Sequence, residues 1–215
     1  MLIPHLLIPT AILAMAPLGS LPAEVPQEKP VADKPTDVHP LGVGDQVPDG
    51  DVRDLAGKTV RFLGLVRQKP TVVIFYRGGW CPYCNLQMGQ LMKLEPRLLG
   101  LGYQILAVSA DKPEKMGESM DKHKLNYTLL SDSKLDLARS FGLVYQVDPE
   151  TVEKMKSFHV NLEAASGEAH NWLPVPAAYV VDTKGRIHFS YYNPDIRVRV
   201  DPDKLFAAAE NALKN

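Results

Sequence analysis

Both cysteines of this 215-residue chain fall inside "YRGGWCPYCNLQ", residues 76–87, as Cys81 and Cys84 with only Pro82 and Tyr83 between them. Thiols at that spacing serve four chemistries. Covalent haem attachment requires a histidine directly after the second cysteine, and that residue is Asn85. A structural zinc site requires two further ligands. No second cysteine pair exists, and His159 and His170 stand eleven apart, not the roughly three to five of a zinc finger. A purely structural disulfide would close so small a ring that it removes little entropy from the unfolded chain. Reversible dithiol–disulfide redox chemistry suits the pattern best, because C-x-x-C here follows a run of β-formers. An inert disulfide and metal handling through the two thiols are the alternatives.

Redox use makes demands on the backbone around the pair. Cys81 is expected at, or just before, the first turn of a helix, where unpaired N–H groups and the helix dipole favour a thiolate. Cys84, one turn further on, then shares its face and can attack Cys81 once that sulfur is oxidised or bonded to substrate. Pro82 suits the first turn because it has no N–H to leave unpaired. Trp80 can pack over the sulfurs and limit solvent access, or serve as an ordinary core anchor. Tyr76 and Tyr83 either shape the entrance or only pack. His170, on the loop "SGEAHNWLPVP" that leads to Pro176, can approach the dithiol or face water. Asp182 falls at a strand end where a turn alone explains it.

The elements that would hold such a site alternate along the chain. "PTVVIFYR" (70–77) is a continuous β-branched and aromatic run, the mark of a strand buried on both faces. From Cys81 to Leu99 apolar residues recur at helical spacing, with Pro96 expected to kink the helix. "YQILAVSAD" (103–111) reads as a second buried strand, and "TVRFLGL" (59–65) as a short one. "KPEKMGESMDKHK" reads as an amphipathic helix whose lysines and acids form a solvated face, and "YTLLSD" as an extended piece. "SKLDLARSFG" reads as a helix capped by Ser133 and stopped at Gly142. Residues 150–165 read as one further helix. "AAYVVD" and "IHFSYY", joined by "TKGR", form a hairpin. "DPDKLFAAAENALKN" closes the chain as a helix with Asp201 as cap. Together these give a three-layer α/β/α sandwich.

Composition bounds the rest. Apolar residues make up 45% of the chain, enough to fill a core without staples, and a net charge of −1 gives no reason to expect nucleic acid as a partner. "LGLG" at 99–102 follows a helix rather than a strand, so no nucleotide-binding signature and no cofactor is implied. The mostly apolar stretch Leu6–Leu18 is broken by prolines and falls short of the roughly 20 apolar residues a spanning helix needs, so residues 1–23 read as a signal peptide that exports the chain to the periplasm or another extracytoplasmic space. Residues 24–40, rich in proline and charge, read as a flexible linker, and 41–215 as one domain.

Across most of that domain the chain resembles the peroxiredoxin-like branch of the thioredoxin superfamily, the alkyl hydroperoxide reductase and thiol-specific antioxidant proteins. "LGVGDQVPDGDVRDLAGKTVRF", "TVVIFYRGGWCPYCNLQ", "LAVSADKPE", "LLSDSKLDLARSFGLVY" and "VPAAYVVDTKGRI" carry the likeness. It implies a thioredoxin-like fold, peroxide as substrate and a thioredoxin-like protein as electron donor. Two templates meet at the cysteines. Typical peroxiredoxins carry P-x-x-x-T/S-x-x-C, its cysteine attacking peroxide; laid on "RGGWCPYC", that cysteine is Cys84, Cys81 holds the hydroxyl position and Arg77 the proline position. In thioredoxins the first cysteine attacks, here Cys81, and a cis-proline faces the dithiol, a place that Val175–Pro176 would fill. An arginine typical of peroxidases is replaced at that point by Pro176, and Arg77, Arg197 or Arg199 would have to substitute, the last two if "IRVRV" folds back over the site. The resemblance therefore implies peroxide reduction or disulfide exchange, each passing through a Cys81–Cys84 disulfide.

Overall fold

The computed structural model describes residues 29–123 and 125–214. The signal peptide read in residues 1–23, and the linker as far as residue 28, lie outside the described residues.

A seven-stranded mixed sheet forms the middle layer, in the order β2-β1-β5-β4-β3-β8-β9. Its strands are β1 (Asp51–Arg53), β2 (Thr59–Arg61), β3 (Thr71–Tyr76), β4 (Gln104–Ser109), β5 (Thr128–Ser131), β8 (Ala177–Val181) and β9 (Ile187–Tyr192), while β6 (Val144–Gln146) and β7 (Trp172–Pro174) pair separately. β3 is the central strand. It pairs parallel with β4 and antiparallel with β8, and all six of its residues are buried, as its uninterrupted apolar run requires.

Alternate residues of β3 feed opposite cores. Val73 and Phe75 join a cluster built on α1 (Phe62–Val66), α4 (Asp136–Ser140), α5 (Pro149–Ser157) and α6 (Leu162–Ser166), where the rings of Phe75, Phe141 and Tyr179 meet tilted or edge to face. Val72, Ile74 and Tyr76 join the other cluster, with α2 (Pro82–Gly100), Met116 of α3 (Pro113–His123), and Leu205 and Ala209 of α7 (Pro202–Ala212). Cys81 and Cys84 belong to this second cluster. The three layers follow from that two-sided burial.

The fold departs from the sequence reading in several places. "TVRFLGL" is a strand only to Arg61; Phe62 and Val66 are buried on one helical face, and the Asp49 carboxylate receives the Leu63 N–H at 3.1 Å, starting α1 instead. The helix read over 150–165 is broken in two by His159, which takes a left-handed φ of 61°. Asp132 caps α4 in place of Ser133, accepting the N–H groups of Leu137 and Ala138, whereas Gly142 (φ 73°) does end it. The described part of the linker, from Lys29, is docked rather than free: Ala32 bridges Tyr145, the Leu41 N–H reaches Phe141, and Val38 is buried. The Val175–Pro176 peptide is trans. Val175 donates to Leu143 at 2.8 Å, so the chain runs extended from β7 into β8 and has no turn that a cis bond would serve.

Candidate active site

Strands β3, β4 and β5 are parallel, so their C-terminal ends open on one edge of the sheet. The loop Arg77–Cys81 leaves β3 there, and Asp111 follows β4 at the same edge. Crossovers from such edges are where open α/β sheets place ligands. The loop is pinned at three points. The Cys81 N–H donates to Gly78 at 3.1 Å, the Asn85 amide to the Gly79 carbonyl at 2.9 Å, and the Gly79 N–H to the Asp111 carboxylate at 2.7 Å. A side chain at Gly78 would collide with Trp80 Nε1 and, at 2.6 Å, with Asp111 Oδ1, so glycine is required for this close approach.

Cys81 is the N-cap residue of α2, and Pro82 begins the helix. Cys84 lies in its first turn. Both are free thiols, and neither is more than 1% exposed. The Cys84 thiol is the strongest influence holding the Cys81 sulfur ionised. Burial opposes it, while the Cys84 amide and the guanidinium groups of Arg77 and Arg199 assist, and the sum brings Cys81 from 9.0 down to about 6. Cys84 moves the other way, raised by donating to Cys81 and by burial. One proton is thus lost readily and the second is held. The Cys81 side chain makes no capping hydrogen bond to the backbone; the first-turn amide acts on it through its dipole.

Two arginines flank the pair. Arg77 is buried, its guanidinium 5.0 Å from the centre of the Trp80 ring and 3.9 Å from Met155 Sδ. Arg199 reaches Cys84 Sγ at 3.4 Å through Nη2, and its Nη1 donates to the Ile196 and Val198 carbonyls of its own loop. The segment "IRVRV" therefore does fold back over the dithiol. Arg197 does not take part, being paired with Asp195 at the surface.

Of the other residues read from the sequence, Trp80 is partly buried between the two cores, and Tyr83 is exposed beside Arg199. Tyr76 is buried below the dithiol. Pro176 sits one residue beyond the Phe75–Ala177 pair, at the dithiol end of β3. His170 is engaged elsewhere, stacked on Trp172 and bonded to the Ser133 carbonyl, and Asp182 receives the N–H groups of its own turn. Sequence reasoning missed Asp111. Its signal was a carboxylate directly after a buried strand that runs beside β3. Burial pushes its acid up to about 6, against the Gly79 N–H, the Trp80 indole and Lys115.

The AhpC/TSA family profile matches residues 43–190. The chain belongs to this family. It is 33% identical over 106 residues to the peroxiredoxin Bcp of Escherichia coli K12, a match covering 49% of this chain and 67% of that one. Its fold superposes on the peroxidoxin BcpB of Mycobacterium tuberculosis with a TM-score of 0.62 at 19% identity, over 80% of this chain and 97% of the other. On the reduced Prx3 of Vibrio vulnificus in complex with hydrogen peroxide the TM-score is 0.64 at 16% identity, over 79% and 99%. The three-layer, thioredoxin-like architecture read from the sequence is thus that of the family.

Proposed function

We propose that the protein is a thiol-dependent peroxidase that reduces peroxides through Cys81 and Cys84. The observation that carries the reading is the reduced pair at the start of α2, where the Cys84 thiol, the first-turn amide and two arginines act together on one sulfur. Membership of the AhpC/TSA family and likeness to peroxiredoxins support the peroxide as substrate. The Cys81 thiolate attacks one peroxide oxygen, an S–O bond forms, the O–O bond breaks and the second oxygen leaves as alkoxide or hydroxide, which takes up a proton to become alcohol or water. Cys84 then displaces hydroxide from the Cys81 sulfenic acid, giving the disulfide and water. A thioredoxin-like dithiol protein returns the pair to its reduced form. In this proposal the apolar leader read in residues 1–23 carries the enzyme to the periplasm or a similar space.

The Arg199–Cys84 contact favours a second assignment, in which Cys84 attacks and Cys81 resolves, matching the P-x-x-x-T/S-x-x-C pattern. Cys81→Ser and Cys84→Ser, each treated with hydrogen peroxide and a sulfenic-acid probe, decide between them. Labelling only in Cys84→Ser supports attack by Cys81, and labelling only in Cys81→Ser transfers the role to Cys84. Failure of both variants to label, with no peroxide consumed by the native protein, removes the peroxidase reading.

A further inference from the structure

Reduction of a peroxide to alcohol and water takes two electrons and two protons. The resting dithiol holds its two electrons but only one proton, on Cys84, because Cys81 is ionised. The second proton has to come from somewhere. We propose that Asp111 stores it: the carboxyl group holds, in the reduced enzyme, the proton that Cys81 has lost, and gives it up when peroxide oxidises the pair. The proposal rests on the peroxidase reading above.

The geometry is suited to that task. Asp111 is 2% exposed and fixed by the Gly79 N–H on Oδ2, two residues before Cys81. Its Oδ1 makes no well-formed hydrogen bond among the described residues, although the Trp80 indole stands beside it and favours the carboxylate. A buried carboxylate oxygen without a donor is costly as an anion and far less so as a neutral acid. The same side chain lines a cavity of about 340 Å³ that runs between Trp80, α3 and the start of α6, giving protons a way in. The ionisable groups that face Asp111 are Tyr76 and Arg77 from the end of β3, Cys81, Lys115 and Glu118 of α3, and His159 before α6. A thiolate on Cys81 opposes a second negative charge on Asp111, and by linkage a charged Asp111 opposes the thiolate equally.

The cycle then balances without solvent protons. Cys81–S⁻, Cys84–SH and the Asp111 acid react with ROOH to give the disulfide, ROH, water and the Asp111 carboxylate. A donor dithiol reduces the disulfide to Cys81–S⁻ and Cys84–SH, and its second proton returns to Asp111.

Infrared difference spectra of the native protein, peroxide-oxidised minus dithiol-reduced, test this near pH 6. A protonated-carboxyl stretch should lose intensity on oxidation, as the Cys81 charge that opposes the carboxylate is removed, and the same band should be missing in Asp111→Asn. In that variant the Cys81 titration midpoint should fall, since no ionised fraction of Asp111 remains to oppose the thiolate. Proton uptake from a weakly buffered medium per disulfide formed should exceed the native value at pH 6 and match it at pH 8. A native spectrum without the band, a band retained in Asp111→Asn, or an unchanged midpoint overturns the proposal. The spectrum of the native protein stands even if the variant does not fold. If peroxide forms no Cys81–Cys84 disulfide at all, it is the peroxidase reading that fails; a disulfide formed without a carboxyl signal refutes only the role of Asp111.

Discussion

Replacing Cys84 by alanine removes the group that does most to keep Cys81 ionised. In the native pair Cys81 is displaced from 9.0 to about 6. Three pH units correspond to about 4 kcal/mol in favour of the thiolate, an upper bound for two sulfurs that share a proton. At pH 7 the sulfur is then about 90% ionised, against about 1% for an unperturbed thiol. In Cys84→Ala the largest contribution is lost while Arg77, Arg199 and the helix start remain, so the midpoint should lie between the two values. The assay is thiolate absorbance of the reduced protein against pH. The native protein should lose one proton near pH 6 and the other only in strong alkali, because Cys84 is raised. A first native step near pH 9, or a Cys84→Ala midpoint still near 6, refutes the account of the pair.

The same displacement has a sign for stability. Cys81 binds its proton less tightly when folded, so between about pH 6 and 9 the unfolded chain carries more protons, and the reduced protein gains stability as pH rises. The slope is at most about 1.4 kcal/mol per pH unit. The gain is complete above pH 9.0 and is lost as pH falls through about 6. Urea unfolding under reductant at pH 6 and pH 8, compared with Cys81→Ser, isolates this contribution from those of the buried acids, which run the opposite way.

Arg199→Met breaks the 3.4 Å contact to Cys84 and the bonds to the Ile196 and Val198 carbonyls; a hydrogen bond involving a charged group is worth about 1.5–3 kcal/mol, so peroxide consumption should fall roughly 10- to 100-fold and the unfolding midpoint should fall as well. Gly78→Ala drives a methyl group into Asp111 and Trp80, and chemical denaturation should show a loss of roughly 1–3 kcal/mol. Phe141→Ala empties the space between Phe62, Phe75 and Tyr179, for a loss of about 3–5 kcal/mol in the same measurement. Removing residues 1–40 uncovers the surface that Val38 buries and should lower the urea midpoint, with a cost of about 1.5–3 kcal/mol for that side chain alone.

What the sequence made legible were the features fixed by nearby residues. β3 showed itself because burial on both faces leaves no exposed position in it, and α2 because its core residues recur every three or four places. The cap of α7 could be read from Asp201 and Pro202 alone. The misreadings share a cause. α1 opens at Phe62 with its Leu63 N–H held by a carboxylate at Asp49, fourteen positions earlier, and the break before α6 rests on a left-handed histidine that no local signal announces. Arg199 could be named only conditionally, since a loop's return to the other end of the chain is decided by tertiary packing. Asp111 was hidden for the same reason: a strand-end aspartate looks like a turn residue until the register of β3 and β4 sets it beside the dithiol.

The departure from the peroxidase pattern changes how the site is assembled. The hydroxyl position of P-x-x-x-T/S-x-x-C holds Cys81, a group that ionises, and so becomes an acceptor for the neighbouring thiol instead of a donor to peroxide. The charge that an arginine ahead of β8 would bring is absent there, because Pro176 occupies the place. Arg77, in the proline position, and Arg199, more than a hundred residues downstream, bear on the pair in its stead. Arg199 reaches Cys84 only because its loop is tied down on both sides, by its own carbonyls at Ile196 and Val198 and by the buried Val200 leading into the capped start of α7. The electrostatics of the dithiol are thereby made to depend on the docking of the C-terminal helix. Disturbing that helix should raise the Cys81 midpoint through the displacement of Arg199, a dependence that a site built wholly from strand-end residues would not have.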